Sequence, residues 1–338
     1  MSSVLVIGGL GVIGIWVTRR LVEQGHRVIT FSRQPDTKRI KDILDKIEVV
    51  TGDTTDLAGI VQTIKRYEVE RVINLASTTG KGERDPWMSF RLDCQGAFNV
   101  LEACRLTETK RVIYTSSKAV YDLARGEYAH PTYKPIDEDY PTIHHRPSEP
   151  CSKGIYGVTK LYIEDMGLHY NRIYGLDFVV IRMGTTWGPG KLSQHGSLAP
   201  VENIIESARL KKPLEWPQGG DQKDDFIYYK DIANGIALAC FSKNLEHHIF
   251  HIGSGKGETL TQLAGICNEI FGTSIKIGPG LDFMGWIRKK IGDEPILNIF
   301  MGLFNIDRAR KEFGFEPKYD FKTGVRDYIE TLNQWRES

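Results

Sequence analysis

The chain has 338 residues and a formal net charge of +1, from 44 basic and 43 acidic side chains. This length suits one large domain or a core with a smaller lobe, and the balanced charge speaks against nucleic-acid binding. No apolar stretch approaches the roughly 20 residues that a membrane-spanning helix needs. The five cysteines are scattered and lack Cys-x-x-Cys spacing, so we expect reduced thiols in a cytoplasmic protein without a structural metal.

The first segment predicts a strand, a glycine-rich turn and a helix. The apolar run Val4–Ile7 leads into Gly8–Gly14, which reads GGLGVIG, and apolar residues then recur at helical spacing. In this context the glycines predict a dinucleotide site. Gly8 permits the tight turn, Gly11 lets backbone N–H groups approach a pyrophosphate, and Gly14 lets the helix pack closely on the strand. A flexible turn is the alternative that this motif alone leaves open.

Strand and helix signals alternate through the first half of the chain. The predicted strands are Val28–Phe31, Ile47–Val50, Arg71–Leu75, Arg111–Thr115 and Phe178–Ile181, and the helices between them include Leu57–Tyr67 and Trp87–Arg105. Near-continuous apolar strands separated by helices predict an α/β fold, a doubly wound Rossmann sheet that is parallel and covered on both faces. After about Trp187 the alternation stops. We therefore expect a dinucleotide-binding core over residues 1–186 and a smaller substrate-binding lobe mainly over 187–338, with some chain returning to the core.

Two further patterns predict an enzyme. Tyr156 and Lys160 lie four residues apart at the start of a predicted helix, so their side chains share one face. A nearby ammonium group lowers the pKa of a phenol, which helps the phenol to act as an acid or base. The run Thr115–Ser117 ends a strand at the carboxyl edge of the sheet, where a hydroxyl can meet a substrate carbonyl. Taken alone, the Tyr156 and Lys160 pattern could also be a surface pair.

Together these motifs resemble the extended short-chain dehydrogenase/reductase family, of the NAD(P)-dependent epimerase/dehydratase type, over nearly the whole chain. Ser116–Tyr121 is similar to the family's serine segment, and Asp224–Ile227 is similar to a signature of its C-terminal lobe. The resemblance implies that Tyr156 is the general acid/base on a secondary alcohol or ketone. It implies that Lys160 holds the nicotinamide ribose and lowers the pKa of Tyr156, and that Ser117 bonds the reacting oxygen.

The resemblance also implies binding residues. Those for the cofactor lie in the glycine loop and at strand ends: Gly8, Gly11, Val12, Ile13, Gly14, Ser32, Arg33, Asp53, Thr54, Leu75, Ala76, Ser77 and Lys160. Those for a small-molecule substrate are Ser117, Lys118 and Thr185. Helices Trp87–Arg105 and Tyr156–Tyr174 are implied to form a homodimer interface, although their apolar positions (Phe90, Ala97, Leu101, Leu161 and Met166) could simply face the sheet.

The residues after the second strand bear on the choice of cofactor. Ser32 and Arg33 stand where relatives that prefer NAD usually carry an acid. A carboxylate would repel a 2′-phosphate, whereas a hydroxyl and a guanidinium would accept one. We therefore expect NADP, and NAD is the alternative if Arg33 only stacks on adenine.

A second departure from the pattern of the family bears on the substrate. Asp224 stands where relatives that act on nucleotide-diphosphate sugars usually place an arginine, and Ile296–Phe300 lacks a second one. Because an aspartate would repel a diphosphate, we expect a dehydrogenase or reductase that acts on a sugar-like, polyol or other small carbonyl substrate. The alternatives are a nucleotide-sugar 4-epimerase that retains NAD, with Lys223 or Arg288 replacing the arginine, and, more remotely, a non-enzymatic dinucleotide sensor.

Two other segments bear on which reactions and which metal sites are expected. Lys118 and Ala119 occupy places where dehydratases and decarboxylases of the family carry acids, so elimination is not expected. The long segment Asp122–Ile155 contains His144–Cys151, whose spacing is wrong for zinc and which is rich in proline. We expect His144–Cys151 to be a surface loop over the active site, without a metal.

Overall fold

The computed structural model describes residues 1–78, 85–121, 124, 126–142, 155–191, 199–216, 218–281, 290–291, 294–295 and 302–337. The strands are β1 (Ser3–Ile7), β2 (Arg27–Ser32), β3 (Ile47–Thr51), β4 (Arg71–Asn74), β5 (Arg111–Ser117), β6 (Phe178–Met183), β7 (Thr185–Trp187), β8 (Glu215–Trp216), β9 (Asp224–Tyr228), β10 (Ile249–Ile252), β11 (Gly257–Glu258), β12 (Lys276–Ile277), β13 (Lys290–Ile291) and β14 (Glu294–Pro295). The α-helices are α1 (Gly14–Glu23), α2 (Leu57–Arg66), α3 (Pro86–Ser89), α4 (Ala97–Leu106), α5 (Ile155–Tyr174), α6 (Pro200–Arg209), α7 (Tyr229–Phe241), α8 (Leu260–Phe271), α9 (Asp307–Phe313) and α10 (Phe321–Glu337).

Seven parallel strands form the central sheet, in the order β3-β2-β1-β4-β5-β6-β10. The order 3-2-1-4-5-6 is that of the doubly wound Rossmann fold, which confirms the predicted fold class. β1 and β6 are buried along their whole length. Their apolar sequences follow from that position, since a parallel sheet with helices on both faces exposes neither side to water.

Helices cover both faces of this sheet. On one face α1 and α7 pack through side chains such as Val17 and Ile232, which are fully buried. On the other face α2, α4 and α5 contribute Ile60, Val100 and Ile163. Each such side chain stabilises the fold by about 1.5–3 kcal/mol through burial. The helices thereby fix the carboxyl edge of the sheet, where the candidate site lies.

A second, smaller core lies in the C-terminal half. Trp187, Ile204, Phe226, Leu263 and Phe321 pack together there, beside a small sheet in the order β11-β9-β7. Other segments after residue 187 rejoin the main sheet, because β10 pairs with β6 and α7 packs on the strands. The C-terminal half therefore contributes to both cores.

The predicted helix Trp87–Arg105 is divided in the structure. α3 is followed by a π-helical turn over Phe90–Gly96 and then by α4. A Cβ at Gly96 would collide with the side chain of Thr54, so the turn lies close against the residues after β3. π-helical turns occur often at functional sites, and this one carries Asp93 toward the catalytic residues.

The cysteines that the structure describes are Cys94, Cys104, Cys240 and Cys267, and all have free thiols. Within the described ranges, no helix combines the length and apolar character that crossing a membrane requires. The predicted loop His144–Cys151, the run Ile296–Phe300 and Arg288 lie outside the described residues.

Candidate active site

The end of β5 and the first turns of α5 bring the three predicted catalytic side chains together. Ser117 is the last residue of β5, and Tyr156 and Lys160 begin α5. Burial raises the pKa of Tyr156 to about 12, and the carboxylate of Asp93 acts in the same direction. Hydrogen bonds with the hydroxyls of Ser117 and Ser77 favour the phenolate and act against this rise. At neutral pH the phenol is protonated, and two hydroxyls are in place to stabilise its anion.

Lys160 is almost fully buried beneath Tyr156. Its Nζ donates a hydrogen bond of 2.8 Å to the carbonyl oxygen of Thr115 and lies 5.7 Å from the centroid of the Tyr156 ring. Burial lowers the pKa of Lys160 to about 8, while the carboxylates of Asp93 and Glu164 oppose this change. The ammonium group is therefore mostly protonated at neutral pH and close to its titration range.

Asp93 is a residue that the sequence analysis missed. It is 2% exposed and accepts hydrogen bonds from the backbone N–H of Thr78, at 2.8 Å, and from the Thr78 hydroxyl. Its charge raises the pKa of both Tyr156 and Lys160. The predicted helix Trp87–Arg105 also contains Arg91 and Glu102, so no signal in the sequence distinguishes Asp93.

A cleft of about 480 Å³ opens at the carboxyl ends of β1, β2 and β4, and Ser77 in its lining is hydrogen-bonded with Tyr156. The residues predicted for the cofactor that line this cleft are Gly8, Gly11, Ser32, Arg33, Thr54, Ala76 and Ser77. The other residues predicted for the cofactor are not among the lining: Val12, Ile13, Gly14, Asp53, Leu75 and Lys160.

The glycine loop has the backbone that its sequence requires. Gly8 has φ = +76°, a conformation that side chains rarely adopt, and a Cβ there would come within 3.2 Å of the backbone N of Ala76. A Cβ at Gly14 would collide with the carbonyl oxygen of Gly8, so only glycine allows α1 to start this close to the turn. The loop is thus a cradle at a helix N-terminus, which fits the pyrophosphate of a dinucleotide.

The opposite end of the cleft is lined by charged and polar residues that follow β2. Besides Arg33, these are Gln34, Asp36 and Arg39, which the sequence analysis did not identify. Burial raises the pKa of nearby Asp53, but hydrogen bonds from Thr55 and the charges of Arg33 and Arg91 outweigh it, so the net pKa is below its usual value. The Asp53 carboxylate is therefore ionised and held in place at neutral pH.

A buried ion pair lies next to Ser117 and includes Lys118, one of the residues predicted to bind the substrate. Nζ of Lys118 is 2.6 Å from both carboxylate oxygens of Asp224, and the hydroxyl of Thr185 donates to the same carboxylate. Asp224 is fully buried and Lys118 is 8% exposed. Because its charge is neutralised, Asp224 does not present the free carboxylate that was expected to repel a diphosphate. The sequence-based argument that Asp224 repels a diphosphate is therefore wrong. It did not include the pairing of Asp224 with Lys118, which is 106 residues away in the chain.

A second buried pair supports the strand that ends at Ser117. The guanidinium of Arg182 on β6 lies 2.6 Å from a carboxylate oxygen of Glu164 on α5, and Ser116 donates to the same carboxylate. Arg182 also donates a hydrogen bond of 2.7 Å to the hydroxyl of Tyr121. These bonds tie β5, β6 and α5 together, which fixes Ser117 opposite Tyr156.

The chain is similar to known proteins over nearly its whole length. Residues 4–253 match the family described as the NAD dependent epimerase/dehydratase family. The UDP-glucose 4-epimerase of Halalkalibacterium halodurans is 26% identical, over 94% of this chain and 91% of its own length. UDP-glucuronate 4-epimerase 2 of Arabidopsis thaliana is also 26% identical, over 97% of this chain and 75% of its own length.

A solved structure shares the fold over the whole chain. The UDP-glucose 4-epimerase of Thermus thermophilus, in complex with NAD, superposes with a TM-score of 0.78 at 22% identity, covering 98% of this chain and 99% of that one. The seven-stranded sheet and the smaller lobe are therefore those of an established architecture.

Proposed function

Because the chain belongs to the NAD dependent epimerase/dehydratase family, and is thus a nicotinamide-dependent enzyme, we propose that it is a nucleotide-sugar 4-epimerase. The observation that carries this proposal is the buried Lys118–Asp224 pair, since it removes the electrostatic argument against a diphosphate substrate. The similarity to two 4-epimerases along nearly the whole chain supports the same choice over the dehydrogenase or reductase first expected.

In this proposal each catalytic side chain has a distinct role at the sugar hydroxyl that reacts. The phenolate form of Tyr156, which the hydrogen bond with the Ser77 hydroxyl favours, removes the proton from the 4-hydroxyl as the C4–H bond breaks, and the resulting phenol later returns the proton to the oxygen. Ser117 donates a hydrogen bond to that oxygen in both steps. Lys160 holds the nicotinamide ribose and stabilises the Tyr156 phenolate. When bound, the nicotinamide would supply the hydride acceptor and donor for C4, and return of the hydride to the opposite face would invert C4 without net redox change.

For the cofactor we propose NADP, with NAD as the alternative. Arg33 and Arg39 both line the end of the cleft that follows β2, and guanidinium groups suit a 2′-phosphate. Asp36 has the opposite charge there, but it is engaged with the backbone N–H of Lys38 at 3.1 Å. This pair of arginines also keeps the second candidate function open, a dehydrogenase or reductase that releases its cofactor after each turnover.

We propose a homodimer formed through α3, the π-helical turn and α5. Ala97 and Leu101 face the sheet, but other large apolar side chains of these segments stay 43–66% exposed: Trp87, Phe90, Val158 and Tyr162. A monomeric mass in light scattering at micromolar concentration would contradict the dimer. A cytoplasmic location is proposed with it, on the free thiols of the described cysteines.

The function can be tested with protein purified without added cofactor. We expect tightly bound dinucleotide in the denatured supernatant, conversion of UDP-glucose to its 4-epimer without net change in nicotinamide absorbance, and competitive inhibition by micromolar UDP. The Tyr156→Phe variant is the control for a contaminating epimerase. If the protein carries no cofactor, and instead oxidises or reduces a small polyol or ketone with added NADP, the dehydrogenase hypothesis replaces the epimerase.

A further inference from the structure

A second cavity, separate from the catalytic residues, lies between α1, α7, α10 and the 3₁₀ segment Lys38–Lys46. Its volume is about 610 Å³, against about 480 Å³ for the cofactor cleft, and both lie in the usual range for small-molecule sites. The two cavities share Arg39. Neither the proposed reaction nor the dinucleotide uses the remaining residues of this cavity.

The lining of this second cavity contains more basic than acidic side chains. The basic side chains are Arg19, Arg20, Arg39, Lys230 and Lys318, and the acidic ones are Glu23, Asp42 and Asp231. Three of the bases are paired with acids: Arg19 with Asp42, Arg20 with Glu23 at 3.5 Å, and Lys230 with Asp327, which is not part of the lining, at 2.6 Å. Asp231 accepts hydrogen bonds from the backbone N–H groups of Lys318 and Tyr319, each at 2.9 Å. The lining keeps a small excess of positive charge. Excess positive charge in a concave site attracts and concentrates anions.

Three residues of α1 that line the cavity have buried N–H groups. Trp16 is 7% exposed, and its indole Nε1 is buried without a hydrogen-bond partner among the described residues. The Nε atoms of Arg19 and Arg20 are buried and unpaired in the same sense. Because residues three and four apart share a helix face, Trp16, Arg19 and Arg20 lie on the side of α1 that lines the cavity, although these three nitrogen atoms are themselves covered by protein. The Arg20 side chain as a whole is 38% exposed, so its other atoms are accessible to a ligand.

Aromatic rings give the cavity a firm wall. Trp16 and Trp335 stack with their centroids 6.1 Å apart, the Arg39 guanidinium lies 5.4 Å from the Trp335 ring, and Nζ of Lys230 lies 5.1 Å from the Trp16 ring. Contact with an aromatic face holds a cation in place at little conformational cost. The positive groups are therefore arranged before any ligand arrives.

We propose that this cavity is a second ligand site, which binds a phosphate-bearing anion of metabolite size. Arginines are suited to phosphate because the guanidinium fork matches two phosphate oxygens at once. Arg20 is the principal ligand. Its guanidinium lines the cavity and is held by a hydrogen bond of 3.0 Å to Asn234 on α7, and its ion pair with Glu23 is long, at 3.5 Å.

The test uses inorganic tripolyphosphate as the probe and calorimetry as the readout, on full-length protein with NADP and UDP present at saturating concentration. These two ligands fill the phosphate sites of the cofactor and the substrate. We expect binding of one tripolyphosphate per chain. Arg20→Ala should weaken it about tenfold or more, as the loss of a charge-assisted contact does, and Lys318→Ala should weaken it less.

The matched control is Arg66→Ala, which removes the same charge from an exposed position on α2, away from the cavity. It should bind tripolyphosphate as the unmodified protein does, and all three variants should keep normal turnover. The proposal is overturned if the unmodified protein shows no binding at millimolar tripolyphosphate, or if Arg20→Ala and Arg66→Ala bind it equally well.

Discussion

Two pairs of side chains flank Ser117, and they differ in whether the sequence alone can predict the contact. On one side Tyr156 and Lys160 are four residues apart on α5, so their juxtaposition is set by the helix itself. On the other side Lys118 and Asp224 are 106 residues apart, and they meet only because the first residue of β9 lies beside the residue that follows β5. The role of a charged side chain in a local motif, such as Lys160, can be inferred from sequence. The electrostatic effect of a buried charge such as Asp224 depends on its partner, which the sequence does not reveal when it is distant in the chain.

The largest expected effect tests the catalytic side. Tyr156→Phe removes the hydroxyl that moves the proton and little volume, so kcat should fall by ~10²–10⁴, while the dissociation constant for the dinucleotide should change little. Steady-state kinetics and a fluorescence titration measure the two quantities. Tyr162→Phe, at an exposed position on the same helix, should leave both unchanged. Turnover within a few-fold of the unmodified enzyme in Tyr156→Phe would remove Tyr156 from the mechanism.

The next largest expected effect tests the buried Lys118–Asp224 ion pair. Lys118→Met leaves the Asp224 carboxylate buried without its partner, which should lower the free energy of unfolding by about 3–5 kcal/mol. The double variant Lys118→Met/Asp224→Asn should recover much of this loss, because no uncompensated charge remains. Urea denaturation measures both. The control is Lys134→Ala, which breaks the exposed pair of Lys134 with Glu127 and should cost no more than about 1 kcal/mol. If Lys118→Met and Lys134→Ala lose the same free energy of unfolding, the buried pair stabilises the fold no more than the exposed pair does.

A smaller effect concerns the end of the cofactor cleft that follows β2. If Arg33 binds a 2′-phosphate, Arg33→Ala should weaken NADPH binding by roughly tenfold to a hundredfold, which corresponds to a charge-assisted contact of about 1.5–3 kcal/mol, and should affect NADH much less. Competitive binding titrations give both constants. Arg27→Ala, at the other end of β2, should change neither. A parallel loss for NADPH and NADH would favour NAD.

The smallest effect is a pH dependence. Since burial lowers the pKa of Lys160 to about 8, the ammonium is present below that pH and is lost as the pH rises through it. The affinity of the free enzyme for dinucleotide should therefore fall, by about tenfold or less, between pH 7 and pH 9.5. In Lys160→Met the affinity should be lower at pH 7 and independent of pH over this interval. A flat profile in the unmodified enzyme would show that the Lys160 charge does not contribute to binding.

Much of the fold was predictable from sequence, because its signals are local. The glycine loop, the alternating apolar strands and the helices between them each depend on neighbours within a few residues. The π-helical turn Phe90–Gly96 was not predictable, since it depends on the contact of Gly96 with Thr54 and on the bonds between Asp93 and Thr78. Arg39 was missed for a related reason: it reaches the cofactor cleft only through the placement of the 3₁₀ segment.

The position of β10 has a consequence for how the protein is made. Residues 249–252 complete the edge of the main sheet beside β6, although roughly 65 residues, among them α7, intervene in the chain. During synthesis the nascent chain therefore exposes the outer edge of β6 until residue 252 and its neighbours have left the ribosome, and an unpaired parallel edge promotes aggregation. A fragment ending at residue 186 would keep this open edge permanently and would also lack α7. We expect such a fragment to need a chaperone or to precipitate, whereas a chain that includes α10 should fold without help, because Phe321 of α10 belongs to the smaller core.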